Sequence, residues 1–188
     1  MRIILINIIF SLSLSSCAFN QNHYLNYEIP LKTLIDSFAI KKSSLHVLID
    51  KSEYKLVIFS DTTIIKEYPV VFGGNPTSDK LMEGDQCTPE GIFYMVSKYP
   101  HKDWSKFIWI NYQTNDSWKK HNNAIQDGII PKDAKIGGEI GIHGVPNGMD
   151  KSIDLKYNWT LGCISLKNKD VDEIYPYITD ATKIVISK

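Results

Sequence analysis

Leu45-His46-Val47-Leu48-Ile49-Asp50-Lys51-Ser52-Glu53-Tyr54-Lys55-Leu56-Val57-Ile58-Phe59 contains two apolar runs, 45–50 and 54–59, divided by three polar residues. Runs rich in β-branched and aromatic side chains fit a pleated, half-buried surface, and a short polar break fits a tight hairpin. A third run, 62–72, follows Ser60-Asp61 and stops at Gly73-Gly74-Asn75-Pro76, where Gly and Pro enforce a turn. Three successive strands make β structure the base of the fold. Further strands are expected at 92–97, 106–111, 140–143, 163–166 and 183–187. One helix stands out: Asn168 can cap it, Asp170, Asp172 and Glu173 favour its positive end, Val171, Ile174, Tyr175 and Ile178 form an apolar face, and Pro176 limits it to about two turns. The segment 98–138 has no clear period, and its Trp, Asn, Asp and Gly content reads as long loops over a surface or cleft. The expected class is mostly β with short helices, built on a sandwich or a mixed sheet.

The chain has 188 residues, enough for one domain with a real core, and 21 basic residues balance 21 acidic ones. Without net positive charge or a basic run, nucleic acid is not an expected partner. Met1-Arg2 leads into an apolar run from Ile3 to Leu14 and then Leu14-Ser15-Ser16-Cys17. A basic start, an apolar stretch too short for a mature span and small residues before a cut describe a secretory signal. Leu-Ser-Ser-Cys resembles the lipobox of bacterial lipoproteins, which implies a lipid-anchored Cys17 in the cell envelope, facing the periplasm. The expected division is a signal peptide over 1–16, an anchor cysteine and tether over 17–43, and a single folded domain over 44–188. Within the tether, 31–38 fits a short amphipathic helix.

Two residues carry the chemistry. Cys163 follows Gly162 and opens an apolar strand in Trp159-Thr160-Leu161-Gly162-Cys163-Ile164-Ser165-Leu166. His143 ends another short strand in Gly141-Ile142-His143-Gly144. A thiol with an ordinary pKa of about 8.5 needs a base or cation beside it to act as a nucleophile near neutral pH, and a histidine is the usual partner. Glycine beside each residue permits close backbone approach and leaves amides free to face an oxyanion. A lone buried cysteine also packs as a small hydrophobe, so the residues alone leave both readings open.

The pattern His143-Gly144, a spacer, then Thr160-Leu161-Gly162-Cys163 resembles the signature of the L,D-transpeptidase catalytic domain, the YkuD-like family. Gly84-Asp85-Gln86-Cys87-Thr88-Pro89-Glu90-Gly91 resembles a second block of that family, preceded by Gly74-Asn75-Pro76 and Asp79-Lys80. The resemblance spans roughly residues 44–188. It implies that His143 takes the proton of Cys163 and that the thiolate attacks a peptidoglycan stem peptide. Gly162, Thr160, Gly144, Trp159 and Ser165 would serve the oxyanion or the substrate, with the Gly162 and Cys163 amides as oxyanion donors. Neither metal nor cofactor is implied. Many relatives carry Arg or Asn where this chain has Ser165, which leaves the direction of the reaction open. Transfer to an amine, hydrolysis of cross-links or of a wall-bound lipoprotein, and a non-catalytic wall-binding role all remain.

Cys87 reads as a loop substitution, or as a partner for Cys163 in an oxidising envelope. The other histidines show no zinc-ligand spacing. Asp85 and Glu90 read as loop ties, and Trp104, Trp109 and Trp118 as packing or a glycan-facing wall.

Overall fold

The computed structural model describes residues 24–188, so the leader and Cys17 lie outside the described residues. Eight strands form in chain order: β1 Leu45–Asp50, β2 Lys55–Ser60, β3 Thr63–Pro69, β4 Gly91–His101, β5 Ser105–Ile110, β6 Gly141–His143, β7 Ile164–Ser165 and β8 Lys183–Ser187. The α-helices among the described residues are α1 Leu31–Ser37, α2 Asn115–Gln126, α3 Lys151–Asp154 and α4 Asn168–Ile174, and a 3-10 turn at Lys42–Ser44 leads into β1.

The strands make one mixed sheet in the order β3-β2-β1-β8-β4-β5-β6-β7. The β1/β8 and β6/β7 pairs are parallel, and the other neighbours are antiparallel. β4 is the corner of the molecule. Residues 91–94 pair with β8, and residues from Met95 onward pair with β5. A bulge between Met95 and Ser97 lets the strand bend between these two duties. The sheet order nearly closes on itself, because Val71, just past β3, bridges Ser165 in β7. A mixed sheet with short helices was expected, and the structure has it.

The core follows from the strand sequences. Val47, Ile49, Leu56, Ile58, Phe93, Ile108, Ile142, Ile164, Ile184 and Ile186 pack in one buried cluster. Each such side chain stabilises the fold by about 1.5–3 kcal/mol on leaving water.

Two local expectations need correction, and one segment is held more tightly than its sequence suggests. Residues 31–37, where a short helix was expected, form α1, which buries Leu31, Leu34 and Ile35 in the main core, and Tyr27 packs against it. The reason is tertiary. Glu173 of α4 accepts the Leu31 N–H (2.5 Å), and Asp170 accepts the Tyr27 hydroxyl (2.9 Å). Within the region read as loops lies α2, which starts in a capping box between Thr114 and Ser117. Asn168 does not cap α4: Lys167 holds the cap position, without a side-chain bond, and the Asn168 amide is used elsewhere.

Candidate active site

β6 and β7 run side by side and bring the two chemical residues together. Their register aligns Ile142 with Ile164 and His143 with Ser165. The Leu166 N–H donates to the His143 carbonyl (2.9 Å), and Val71 and Ser165 exchange backbone hydrogen bonds (3.0 and 2.9 Å). Cys163 stands two positions before Ser165, and the Gly141 backbone N–H on the neighbouring strand favours its charged form. The Cys163 thiol donates in turn to the Glu139 carbonyl (3.4 Å).

The turn before Cys163 is held by one hydroxyl. Thr160 Oγ1 donates to the Cys163 carbonyl (2.7 Å) and accepts the Gly162 N–H (3.2 Å). The Gly162 amide is thus already engaged. Gly162 has φ +144°, and a β-carbon there would lie 2.8 Å from the Cys87 carbonyl oxygen, so only glycine fits. That close approach sets Cys87, and with it the Gly84–Gly91 block, against the nucleophile turn. Asp85 anchors the block by accepting N–H bonds from Leu81, Met82 and Cys87 and an ion pair from Lys80 (2.9 Å). Burial opposes the charge on Asp85, yet these donors hold its carboxyl below the usual range. Glu90 pairs with buried Lys51 at 2.8 Å. Both acids tie loops together. Cys87 is buried and donates to the Asp85 carbonyl (3.3 Å), and both Cys87 and Cys163 are free thiols.

His143 is 2% exposed and its Nδ1 lies 2.7 Å from the Gly144 carbonyl. A carbonyl can only accept, so Nδ1 carries the proton and Nε2 keeps a lone pair. The imidazole stacks on Trp104 (centroids 4.5 Å apart) and meets Trp159 edge-on (5.6 Å). Burial pushes its pKa down to about 4, against the opposing pull of the Gly144 hydrogen bond. Burial pushes the Cys163 thiol up to about 11, only partly offset by the Gly141 N–H. The resting pair is therefore neutral: thiol and imidazole, not thiolate and imidazolium.

A cleft of about 1310 Å³ opens over this pair. Cys163, His143, Thr160, Gly162 and Trp159 line it, with Trp104, Glu139 and Lys135 among the other walls. The Trp159 indole N–H is buried beside the cleft and has no hydrogen-bond partner among the described residues. Gly144 and Ser165, which the resemblance assigns to the oxyanion or the substrate, are both buried. Ser165 Oγ donates to the Gly144 carbonyl (3.1 Å). Sequence reasoning did not find how Trp104 and Asn168 serve the site. The Trp104 carbonyl accepts the Gly144 N–H (3.0 Å), and Asn168 Oδ1 accepts the Val145 N–H (3.0 Å). No local pattern marks either contact, since each joins segments distant in the chain.

Among curated proteins none matches the chain in sequence. Solved structures share its fold. The helical cell shape determining protein Pgp2 from Campylobacter jejuni superposes with a TM-score of 0.53 at 22% identity, over 84% of this chain and 55% of that one. Bd1075 from Bdellovibrio bacteriovorus gives 0.52 at 22% identity, over 77% and 48%. An L,D-transpeptidase from Mycobacterium smegmatis gives 0.51 at 13% identity, over 77% and 59%. The chain thus spans about half the length of these proteins. Residues 44–186, which hold β1 through β7, all but the last residue of β8 and both chemical residues, match the model of the YkuD L,D-transpeptidase catalytic domain, and the chain belongs to that family.

Proposed function

We propose that this protein is a cysteine acyltransferase acting on peptidoglycan stem peptides, with Cys163 as nucleophile and His143 as general base. The observation that carries this reading is the tautomer of His143. Its Nδ1–H is committed to Gly144, so the Nε2 lone pair remains for a proton in a cleft that Cys163 also lines. Because the resting pair is neutral, the proton moves as the bond forms. The Cys163 thiol turns from the Glu139 carbonyl and gives its proton to His143 as sulfur attacks the substrate carbonyl. The Cys163 amide faces the developing oxyanion, since the Gly162 N–H is held by Thr160. The C–N bond breaks, the leaving amine takes the proton back from His143, and a thioester remains. An acceptor amine then attacks the thioester and loses its proton to His143. The C–S bond breaks, the thiol is restored and a new amide is released. Water in place of the amine gives hydrolysis.

The full chain incubated with a carbapenem tests the dyad: intact mass should show one adduct, mapped to Cys163 and lost in Cys163→Ala. An adduct elsewhere, or none under reducing conditions, overturns the assignment. Incubation with stem peptides then separates cross-linked dimers, made by transfer, from free monomers, released by hydrolysis. Absence of both products would leave a wall-binding role, with a wall-linked lipoprotein as a partner to test. The location that accompanies this reading is the cell envelope, with Cys17 as a lipid anchor. Mass analysis of the mature N-terminus checks that anchor: a diacylated Cys17 supports it, and a chain that retains Met1 overturns it.

A further inference from the structure

Among the described residues His143 has no carboxylate partner at Nδ1; its acceptor is the carbonyl of the next residue. The direction of that carbonyl therefore sets the direction of the ring. A backbone carbonyl on a loop holds its direction only if its amide plane is fixed, and here the plane is gripped at both ends. At the oxygen end, Gly144 receives Ser165 Oγ–H (3.1 Å) as well as the imidazole (2.7 Å). At the nitrogen end, Val145 N–H donates to Asn168 Oδ1 (3.0 Å). Both grips are themselves anchored. Ser165 is bonded in both directions to Val71, and the Asn168 N–H donates to Asp150 Oδ1 (3.1 Å).

We propose that Ser165 and Asn168 clamp the Gly144–Val145 peptide and, through its carbonyl, act as positioning residues that aim His143 at the nucleophile. This rests on the reading of His143 as general base. Neither residue lines the cleft, so each acts through the peptide it holds. Ser165 is fully buried, and its hydroxyl serves the oxygen that orients the base. The hydroxyl also shares that oxygen with Nδ1–H, so it weakens the pull that the carbonyl exerts on a charged imidazolium.

The test is the rate of carbapenem acylation of the full chain, followed by mass from pH 3.5 to 9, with noncovalent affinity and melting temperature measured alongside. Ser165→Ala removes the hydroxyl with little change in volume. It should slow acylation by about tenfold, as expected for a misaimed catalytic group, while leaving noncovalent affinity unchanged. Its acid limb should move to higher pH, because the carbonyl is then free to favour the imidazolium. Ser165→Thr should restore both rate and limb. Asn168→Ala, which releases the same peptide from its other end, should slow acylation in the same way. A wild-type rate and an unmoved limb in Ser165→Ala would overturn the clamp. So would a loss that Ser165→Thr fails to restore and that follows a fall in melting temperature, since that pattern is structural. His143→Ala separates the levels: a wild-type rate there defeats the base assignment itself, whereas a silent His143→Ala beside an unaffected Ser165→Ala defeats the clamp alone.

Discussion

Gly144 and Asn168 meet so closely that a β-carbon on Gly144 would lie 2.1 Å from Asn168 Oδ1. The same atom would lie 2.5 Å from the Trp104 carbonyl oxygen, which is backbone and cannot swing aside. Gly144→Ala should therefore push the His143 loop off both partners. The expected result is destabilisation of about 1–3 kcal/mol and a loss of acylation larger than the stability change explains. Chemical denaturation and adduct formation on the same sample check this. A well-folded Gly144→Ala with full activity would show that the loop tolerates displacement.

The neutral resting pair gives a pH signature. His143 has its pKa lowered to about 4, so it remains a free base down to that region. Cys163, raised to about 11, stays a thiol across the neutral range. Acylation should thus run on a plateau from about pH 5 upward, with an acid limb near 4. Alkylation of Cys163 by iodoacetamide, which needs thiolate and no catalytic proton transfer, should keep rising toward alkaline pH instead of levelling near neutrality. An early plateau in alkylation would mark a preformed ion pair. Cys87, also raised to about 11 by burial, should alkylate far more slowly than Cys163 because its sulfur is buried away from the cleft.

The strands were legible because their apolar runs and polar breaks are local. The run 183–187 is β8, and 45–50 is β1. The reactive pair was legible for a similar reason: Gly144 follows His143 and Gly162 precedes Cys163, so the close approaches are written next to the residues they serve. α2 was hidden because Asn115, Asp116, Asn122 and Asn123 read as loop, while the Thr114–Ser117 box and the His121 bond to the Leu81 carbonyl hold it. Asn168 was misread for a physical reason. An Asn before acidic residues fits an N-cap, but its oxygen is taken by Val145, 23 positions earlier. Sequence gives the residue type suited to capping; only the fold shows which donor reaches it first.

The acids of α4 are tertiary ties, and one of them carries a pH dependence. Burial raises Asp170 to about 6, although the Tyr27 hydroxyl and nearby lysines favour its charge. A carboxyl raised in the folded state binds its proton more tightly there than in the unfolded chain. Its stabilising contribution is full below about pH 4 and is lost as pH rises through 6. Buried His143 works in the opposite sense, losing stability as pH falls from 6.5 toward 4. Asp170→Asn keeps an acceptor for Tyr27 and removes the titration. Relative to the native chain it should gain stability between pH 4 and 6, measured as a melting-temperature difference that opens over that window. A difference that is flat with pH would show that Asp170 titrates normally.

Glu173 holds three elements at one point. It accepts Lys66 Nζ from β3 (2.9 Å), the Tyr68 hydroxyl (2.8 Å) and the Leu31 N–H at the start of α1. The Lys66 side chain is only 2% exposed, and its other hydrogen bond goes to the Ile29 carbonyl (2.6 Å). Removing the carboxylate would leave a buried ammonium without its counter-charge, a change that typically costs about 3–5 kcal/mol. Glu173→Ala should lose stability on that scale and expose the α1 segment to proteolysis, since its N-terminal tie is lost too. The Lys32–Asp36 pair makes the control. Both partners are mostly exposed, so Lys32→Ala should change stability by less than about 0.5 kcal/mol. Equal effects from the two substitutions would mean that Lys66 reaches water when its partner is gone, and that α1 is held by the packing of Leu31, Leu34 and Ile35 alone.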